Sequence, residues 1–413
     1  MMGGLRIVVD DAVAWHAEAF GPLGQLRAVP GARIDRATLA HADALVVRSV
    51  TRVDAALLAG TPVRFVGSAT AGEDHIDRAA LERLGITVAR APGCNAQAVA
   101  EYVVSVLAHA RHFRMGDAPG PIGIVGLGHV GRRTARALRT LGYQVLACDP
   151  PLAERRRRGE PIEDPDPALA NLARFERLVS LDELLESAFV VSLHVPLCHE
   201  GPHPTAHLLD AERVRRLRPG QLLINTCRGG VVDDAALERW IHAGGRAILD
   251  VWEREPTPRP DLLGPRGVRL GTPHVAGYSL EGKVAATRQV HEALCRFAGQ
   301  EPRFDGRNVL GPAGATLLRS DDPAAAHDWR PWIEAAVPLG PDDRALRDAM
   351  QRPPSERGRA FEALRRGYRL RRELASFRVD GTPLHPDTRA TLAALGIAVP
   401  RSPVAGPRAD GAR

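Results

Sequence analysis

The segment Gly126-Leu127-Gly128-His129-Val130-Gly131 constrains the chain most, because it follows the apolar run Ile122–Val125 and opens a stretch of helical spacing. A Gly-x-Gly-x-x-Gly alone is a weak signal. Between a strand and a helix, with Asp149 at the end of the next apolar run, it predicts a turn that receives a dinucleotide. The glycines allow backbone N–H groups to approach a pyrophosphate, whose charge the helix N-terminus stabilises. Gly126, Gly128, His129, Val130 and Gly131 are therefore candidate cofactor contacts. Asp149 selects between cofactors: a carboxylate there accepts bonds from a ribose 2′-OH and repels a 2′-phosphate, so NAD is expected over NADP.

Around this turn the chain alternates strand and helix patterns. Runs at Leu5–Val9, Ala44–Val47, Arg64–Val66 and Ile86–Val88 are separated by helical stretches at Arg36–Ala42, Asp54–Ala59 and Ile76–Leu84. A long apolar helix is expected from Asn95 to Ala110. A second series runs through Pro121–Val125, Gln144–Cys148, Phe189–Leu193, Gln221–Asn225, Ala247–Asp250 and Val268–Leu270. The expected class is α/β, with two doubly wound parallel-sheet, Rossmann-like domains facing a cleft and a smaller C-terminal α+β domain. Glu154–Pro167, polar and broken by prolines, reads as a solvated loop. Beyond Leu310 the chain becomes rich in Arg, Ala and Pro, with a helix expected at Ser355–Ser376, a strand at Phe377–Val379 and a frayed tail at Pro403–Arg413. That region carries no obvious chemistry, so an oligomerisation or capping role is expected.

Composition excludes several functions. The net charge is +6, but Lys283 is the only lysine, and the four arginines at Arg155–Arg158 are followed by acidic residues without interleaved aromatics; nucleic acid is not an expected partner. Five widely spaced cysteines form no Cys-x-x-Cys. His194, Cys198, His199, His203 and His207 are interrupted by prolines, so no metal is expected. No apolar run is long enough to span a bilayer and the N-terminal residues lack a signal-peptide pattern, which predicts a soluble, cytoplasmic protein.

Three polar residues stand where strands of the second series should end: Arg228, Glu255 and His274. Ligands of open α/β sheets bind outside the carboxyl ends of strands, so the three can converge on one crevice. Oxidation of an alcohol needs a base for the hydroxyl proton as hydride leaves the carbon, and His274 suits that role. Glu255 would orient the imidazole and favour its protonated form, and Arg228 can make two charge-assisted bonds to a substrate carboxylate or to the adjacent oxygen where charge develops. In the first series, Arg48 ends an apolar strand, with the Ser49 and Thr51 hydroxyls close enough to help it hold a phosphate dianion.

The chain resembles the D-isomer-specific 2-hydroxyacid dehydrogenases from near residue 5 to near residue 305. The matching segments are Ala69 to Asp77, Asn95 with Val99-Ala100-Glu101, the glycine turn, Cys227-Arg228-Gly229, Asp250 to Pro256 and Thr272-Pro273-His274. Arg48 to Thr51, Pro92 to Asn95, Cys148 to Pro151, Gly277 to Lys283 and the C-terminal extension are most similar to the branch that oxidises 4-phospho-D-erythronate in vitamin B6 biosynthesis. The resemblance implies hydride transfer from that acid to NAD, with Arg228, Glu255 and His274 catalytic, Asp149, Asp250 and Gly277 at the cofactor, and Ser49, Thr70 and Tyr278 at the substrate. It also implies a discontinuous substrate domain (1–94 and 272–309), an NAD domain (95–271) and a homodimer built with residues 310–413. The alternatives are a 3-phosphoglycerate or other D-2-hydroxyacid dehydrogenase and, from another class, a non-catalytic NAD-sensing protein.

Overall fold

The computed structural model describes residues 4–110, 112, 120–162, 178–369, 371–381 and 383–400. Its first sheet has five parallel strands: β1 (Leu5–Asp10), β2 (Gly24–Val29), β3 (Ala44–Val47), β4 (Phe65–Ser68) and β5 (Thr87–Ala89). They lie in the order β2-β1-β3-β4-β5. Parallel sheets need cover on both faces. Ile7, Val9, Val46 and Phe65 are buried on one side with Val290 and Leu294, whereas Val8, Leu45 and Val47 are buried on the other with Leu39, Leu58 and Leu81. Val290 and Leu294 belong to the helix Leu280–Ala298, so the chain returns to the first sheet after leaving the second. The return helix lies close: a Cβ on Gly67 of β4 would stand 2.4 Å from Val290 Cγ1.

The second sheet has six parallel strands, β6 (Ile122–Val125), β7 (Val145–Cys148), β8 (Val190–Leu193), β9 (Leu222–Asn225), β10 (Arg246–Leu249) and β11 (Leu270–Gly271), in the order β11-β10-β9-β8-β6-β7. The order reverses between β6 and β8, which is where a crevice opens in a doubly wound sheet. The helix His129–Thr140 follows β6 directly, as the glycine turn predicts.

The third segment is α+β, but its apolar side chains enter the cores of the second sheet. Trp332, Ile333 and Phe377 cluster with Val103, Val106 and Ile124 on one face, and Leu346, Met350 and Phe361 join Val191, Leu223 and Leu249 on the other. Two short parallel strands, β12 (Thr316–Leu318) and β13 (Phe377–Val379), complete it.

Several expected elements need correction. Arg36–Ala42 is a series of turns rather than a helix, with Asp35 Oδ1 accepting from both the backbone N–H and the hydroxyl of Thr38 at its start. Residues 154–157, expected in a loop, finish the helix Pro150–Arg157; prolines suit its first turn and the Asp149 carboxylate caps it. Residues 158–162 form turn and irregular chain as expected, whereas residues 163–167 and the tail Pro403–Arg413 lie outside the described residues. The helix expected at Ser355–Ser376 spans Pro354–Arg366. Among the described residues no helix is long and apolar enough to cross a membrane.

Candidate active site

A cleft of about 1120 Å³ opens between the two sheets, lined by residues from the loops after strands of both and by Arg365 from the third segment. The three polar residues expected to converge come from three neighbouring strands: Arg228 follows β9, Glu255 follows β10 and His274 follows β11, and all three line this cleft.

His274 Nδ1 lies 2.8 Å from Glu255 Oε2. The other carboxylate oxygen, Oε1, accepts the Trp252 backbone N–H at 3.0 Å. Burial pushes the Glu255 carboxyl up, but the bond from His274, the Trp252 N–H and the charge of Arg365 outweigh it and hold the group below its ordinary value. Glu255 is thus a fixed anion behind the imidazole. With Nδ1 committed to Glu255, Nε2 is the nitrogen left for a ligand in the cleft.

The loop that carries His274 is built around Asp250. Its Oδ1 accepts from the Thr272 hydroxyl (2.6 Å) and the Val275 N–H (2.7 Å), its Oδ2 accepts from the Ala276 N–H (2.9 Å), and its backbone carbonyl accepts the His274 N–H (2.7 Å). These bonds hold His274 at φ 59°, a left-handed conformation uncommon outside glycine. The buried Asp250 carboxylate is turned into the loop, where it satisfies these N–H groups and the Thr272 hydroxyl.

Arg228 sits on a turn shaped by Asn225, which accepts the Cys227 N–H and donates to the Arg228 carbonyl. Gly229 packs against the Trp252 backbone so closely that a Cβ would lie 1.9 Å from it, setting the Arg228 and Glu255 loops back to back. The guanidinium reaches across the cleft: Nε and Nη2 donate to Asp74 Oδ2 at 3.0 and 2.8 Å. Gly72 leaves the space for it, since a Cβ there would be 2.3 Å from Nη2. Asp74 was not singled out in the sequence, and it occupies the fork assigned to a substrate carboxylate.

At the glycine turn, Gly126 has φ 91° and a Cβ on Gly131 would be 1.9 Å from the Gly126 carbonyl oxygen. Gly128 caps the helix without a side-chain bond, and nothing lies within 4 Å of where its Cβ would be. That is a cradle open to a phosphate. His129 and Val130 line the cleft. Asp149 Oδ2 accepts the Leu127 N–H at 2.8 Å, which ties the end of β7 to the turn.

Of the expected substrate contacts, Arg48, Ser49, Thr70 and Tyr278 line the cleft, as does Gly277. Thr51 does not: its hydroxyl is buried and donates to the Gly31 carbonyl at 2.9 Å. Three cleft residues carry a positive charge to which the sequence assigns no role: Arg90, which pairs with Glu73, Lys283 and Arg365. Arg365 stands beside Glu255 and Tyr278, and its buried Nε has no hydrogen-bond partner among the described residues. Among the described residues no three His, Cys, Asp or Glu side chains are grouped to hold a metal; His207 pairs instead with Glu253 and His194 with Ser192.

A parallel-sheet pair with this imidazole–carboxylate couple at the strand ends is the framework of a D-2-hydroxyacid dehydrogenase. Residues 112–276 match the model of the D-isomer specific 2-hydroxyacid dehydrogenase NAD binding domain. Among solved structures, NAD⁺-bound 3-phosphoglycerate dehydrogenase from Entamoeba histolytica aligns with TM-score 0.58 and 24% identity over 73% of this chain and 98% of its own, sharing the fold. An erythronate-4-phosphate dehydrogenase from Salinibacter ruber is 44% identical over 388 residues, 92% of this chain and 95% of that one. Another from Escherichia coli O127:H6 is 41% identical over 91% of this chain and 94% of its own. The chain belongs to the erythronate-4-phosphate dehydrogenase family.

Proposed function

We propose that this chain oxidises the 2-hydroxyl of 4-phospho-D-erythronate with NAD, giving (R)-3-hydroxy-2-oxo-4-phosphooxybutanoate in vitamin B6 biosynthesis. The observation that carries the reading is the 2.8 Å bond between His274 and Glu255 at the cleft wall. The names of the relatives supply the substrate.

The cofactor fits the residues present. The Gly126–Gly131 turn and the uncapped start of the helix His129–Thr140 would hold a pyrophosphate, and Asp149 would meet the adenosine ribose. When bound, NAD supplies the hydride acceptor. His274 Nε2 takes the proton from the substrate 2-hydroxyl as the carbonyl forms, and Glu255 stabilises the imidazolium that results. Arg228 holds the carboxylate next to the reacting carbon, which requires it to release or share Asp74. Ser49, Thr70 and Tyr278 face the rest of the substrate, and Arg48 faces its phosphate.

We assign the substrate domain to 1–94 and 272–309, supported by the packing of the helix Leu280–Ala298 on the first sheet, and the NAD domain to 95–271. Residues 310–413 are assigned to the contact between two copies in a cytoplasmic homodimer, on the family resemblance. Sedimentation at micromolar concentration is expected to give twice the 44.5 kDa chain mass, and a monomer would remove that assignment.

The activity is tested by NADH absorbance with 4-phospho-D-erythronate, 3-phosphoglycerate and D-lactate offered in turn. The expected order of kcat/KM is the order just given. A preference for 3-phosphoglycerate would move the chain to a shorter substrate, and NAD binding with no turnover of any acid would favour a sensor.

A further inference from the structure

The first turn of the helix Leu280–Ala298 presents Lys283 to the cleft, on the same side as Arg48 after β3 and Tyr278. Lys283 Nζ lies 5.5 Å from the centre of the Tyr278 ring, a cation–π contact. Arg48 makes one long bond, from Nη1 to the Ala12 carbonyl at 3.4 Å. Among the described residues neither cation has a carboxylate partner. Glu281, two positions before Lys283, is engaged by Arg372 and Ser376, from which it accepts, and Glu373 accepts from Ser279. Burial, and after it the charge of Arg48, lowers the Lys283 pKa, so the two cations sense one another. Like charges held together in a half-buried wall are relieved by an anion placed between them.

The position separates this pair from Arg228. The substrate carboxylate adjoins the reacting carbon and must be held beside His274. The phosphate lies two carbons beyond and needs a second cationic site on a different element. We propose that Lys283, together with Arg48, receives the phosphate and makes the cleft select phosphorylated over unphosphorylated 2-hydroxy acids. This rests on the dehydrogenase reading above.

Because Lys283 is the only lysine, protein grown with [13Cε]lysine gives one lysine signal. Titrated by NMR, that signal is expected to show a higher midpoint in inorganic phosphate than in chloride of equal ionic strength, since a bound dianion favours the ammonium. In kinetics, Lys283→Met is expected to lower the ratio of kcat/KM for 4-phospho-D-erythronate over D-erythronate by about 10- to 100-fold, the value of one charge-assisted contact. Lys283→Arg should keep most of that ratio. An unchanged ratio in Lys283→Met overturns the proposal, as does a midpoint indifferent to phosphate. If the unaltered protein oxidises neither acid while the midpoint still rises, the phosphate site stands and the dehydrogenase reading fails.

Discussion

Replacing His274 is expected to lower kcat by about 10²–10⁴-fold, the usual worth of general acid–base help and roughly 3–5 kcal/mol of barrier, while NAD affinity changes little. The structure supports a loss of that size because the imidazole is placed by two constraints: the Glu255 bond, and the Asp250-centred loop with its left-handed backbone at His274. The last constraint decides which variant to make. His274→Gln preserves length but sits poorly at φ 59°, whereas asparagine adopts that conformation more readily, and neither amide is basic enough to take the proton. Both variants should lose turnover, and His274→Asn should do so with the smaller change in urea midpoint. Single-turnover NADH formation separates the chemistry from product release. A kcat within tenfold of the unaltered protein in both variants would remove His274 from proton transfer.

The reason this couple could be read from sequence is that its members sit in short local motifs at strand ends, where an α/β sheet places its ligands. Strands buried on both faces were equally plain, because β3 and β6 are continuous apolar runs. β2 escaped notice: it is an edge strand with Gln25 and Arg27 among its residues and no fully buried position. Arg365 escaped for another reason. Arg365 reaches the cleft 110 residues after Glu255 by packing of the third segment, and no local pattern encodes that arrival. Asp74 is similar: it lay within a matched motif, but its hold on Arg228 spans 154 positions and exists only where the sheets face each other. The third segment, where no obvious chemistry is expected, supplies Arg365 to the cleft wall.

The same segment governs stability at the joint between the sheets. Arg371 is buried, and its Nη2 donates to the carbonyl oxygens of Ala98 and Ala276 at 3.1 and 2.7 Å, just beyond each of the two places where the chain crosses between the sheets. Its Nη1 is 3.8 Å from Glu101 Oε2, and Glu101 Oε1 accepts the Leu374 N–H. Arg371→Met would remove a charged donor from the Ala98 and Ala276 carbonyls and the cation that faces Glu101, so the expected loss is about 3–5 kcal/mol near pH 8. The size should depend on pH in a definite direction. Burial pushes both Glu101 and Glu373 above the ordinary carboxyl value of 4.5, with Glu373 adding to the rise at Glu101. A raised folded pKa contributes stability below pH 4.5 that is lost as pH rises through the folded value. Removing Arg371 raises these values further, so the gap between variant and unaltered protein should widen from pH 5.5 to pH 8. Urea unfolding at the two pH values reads it directly. A gap of equal size at both would trace the whole loss to the Ala98 and Ala276 hydrogen bonds, because those bonds do not titrate and the Glu101 charge does.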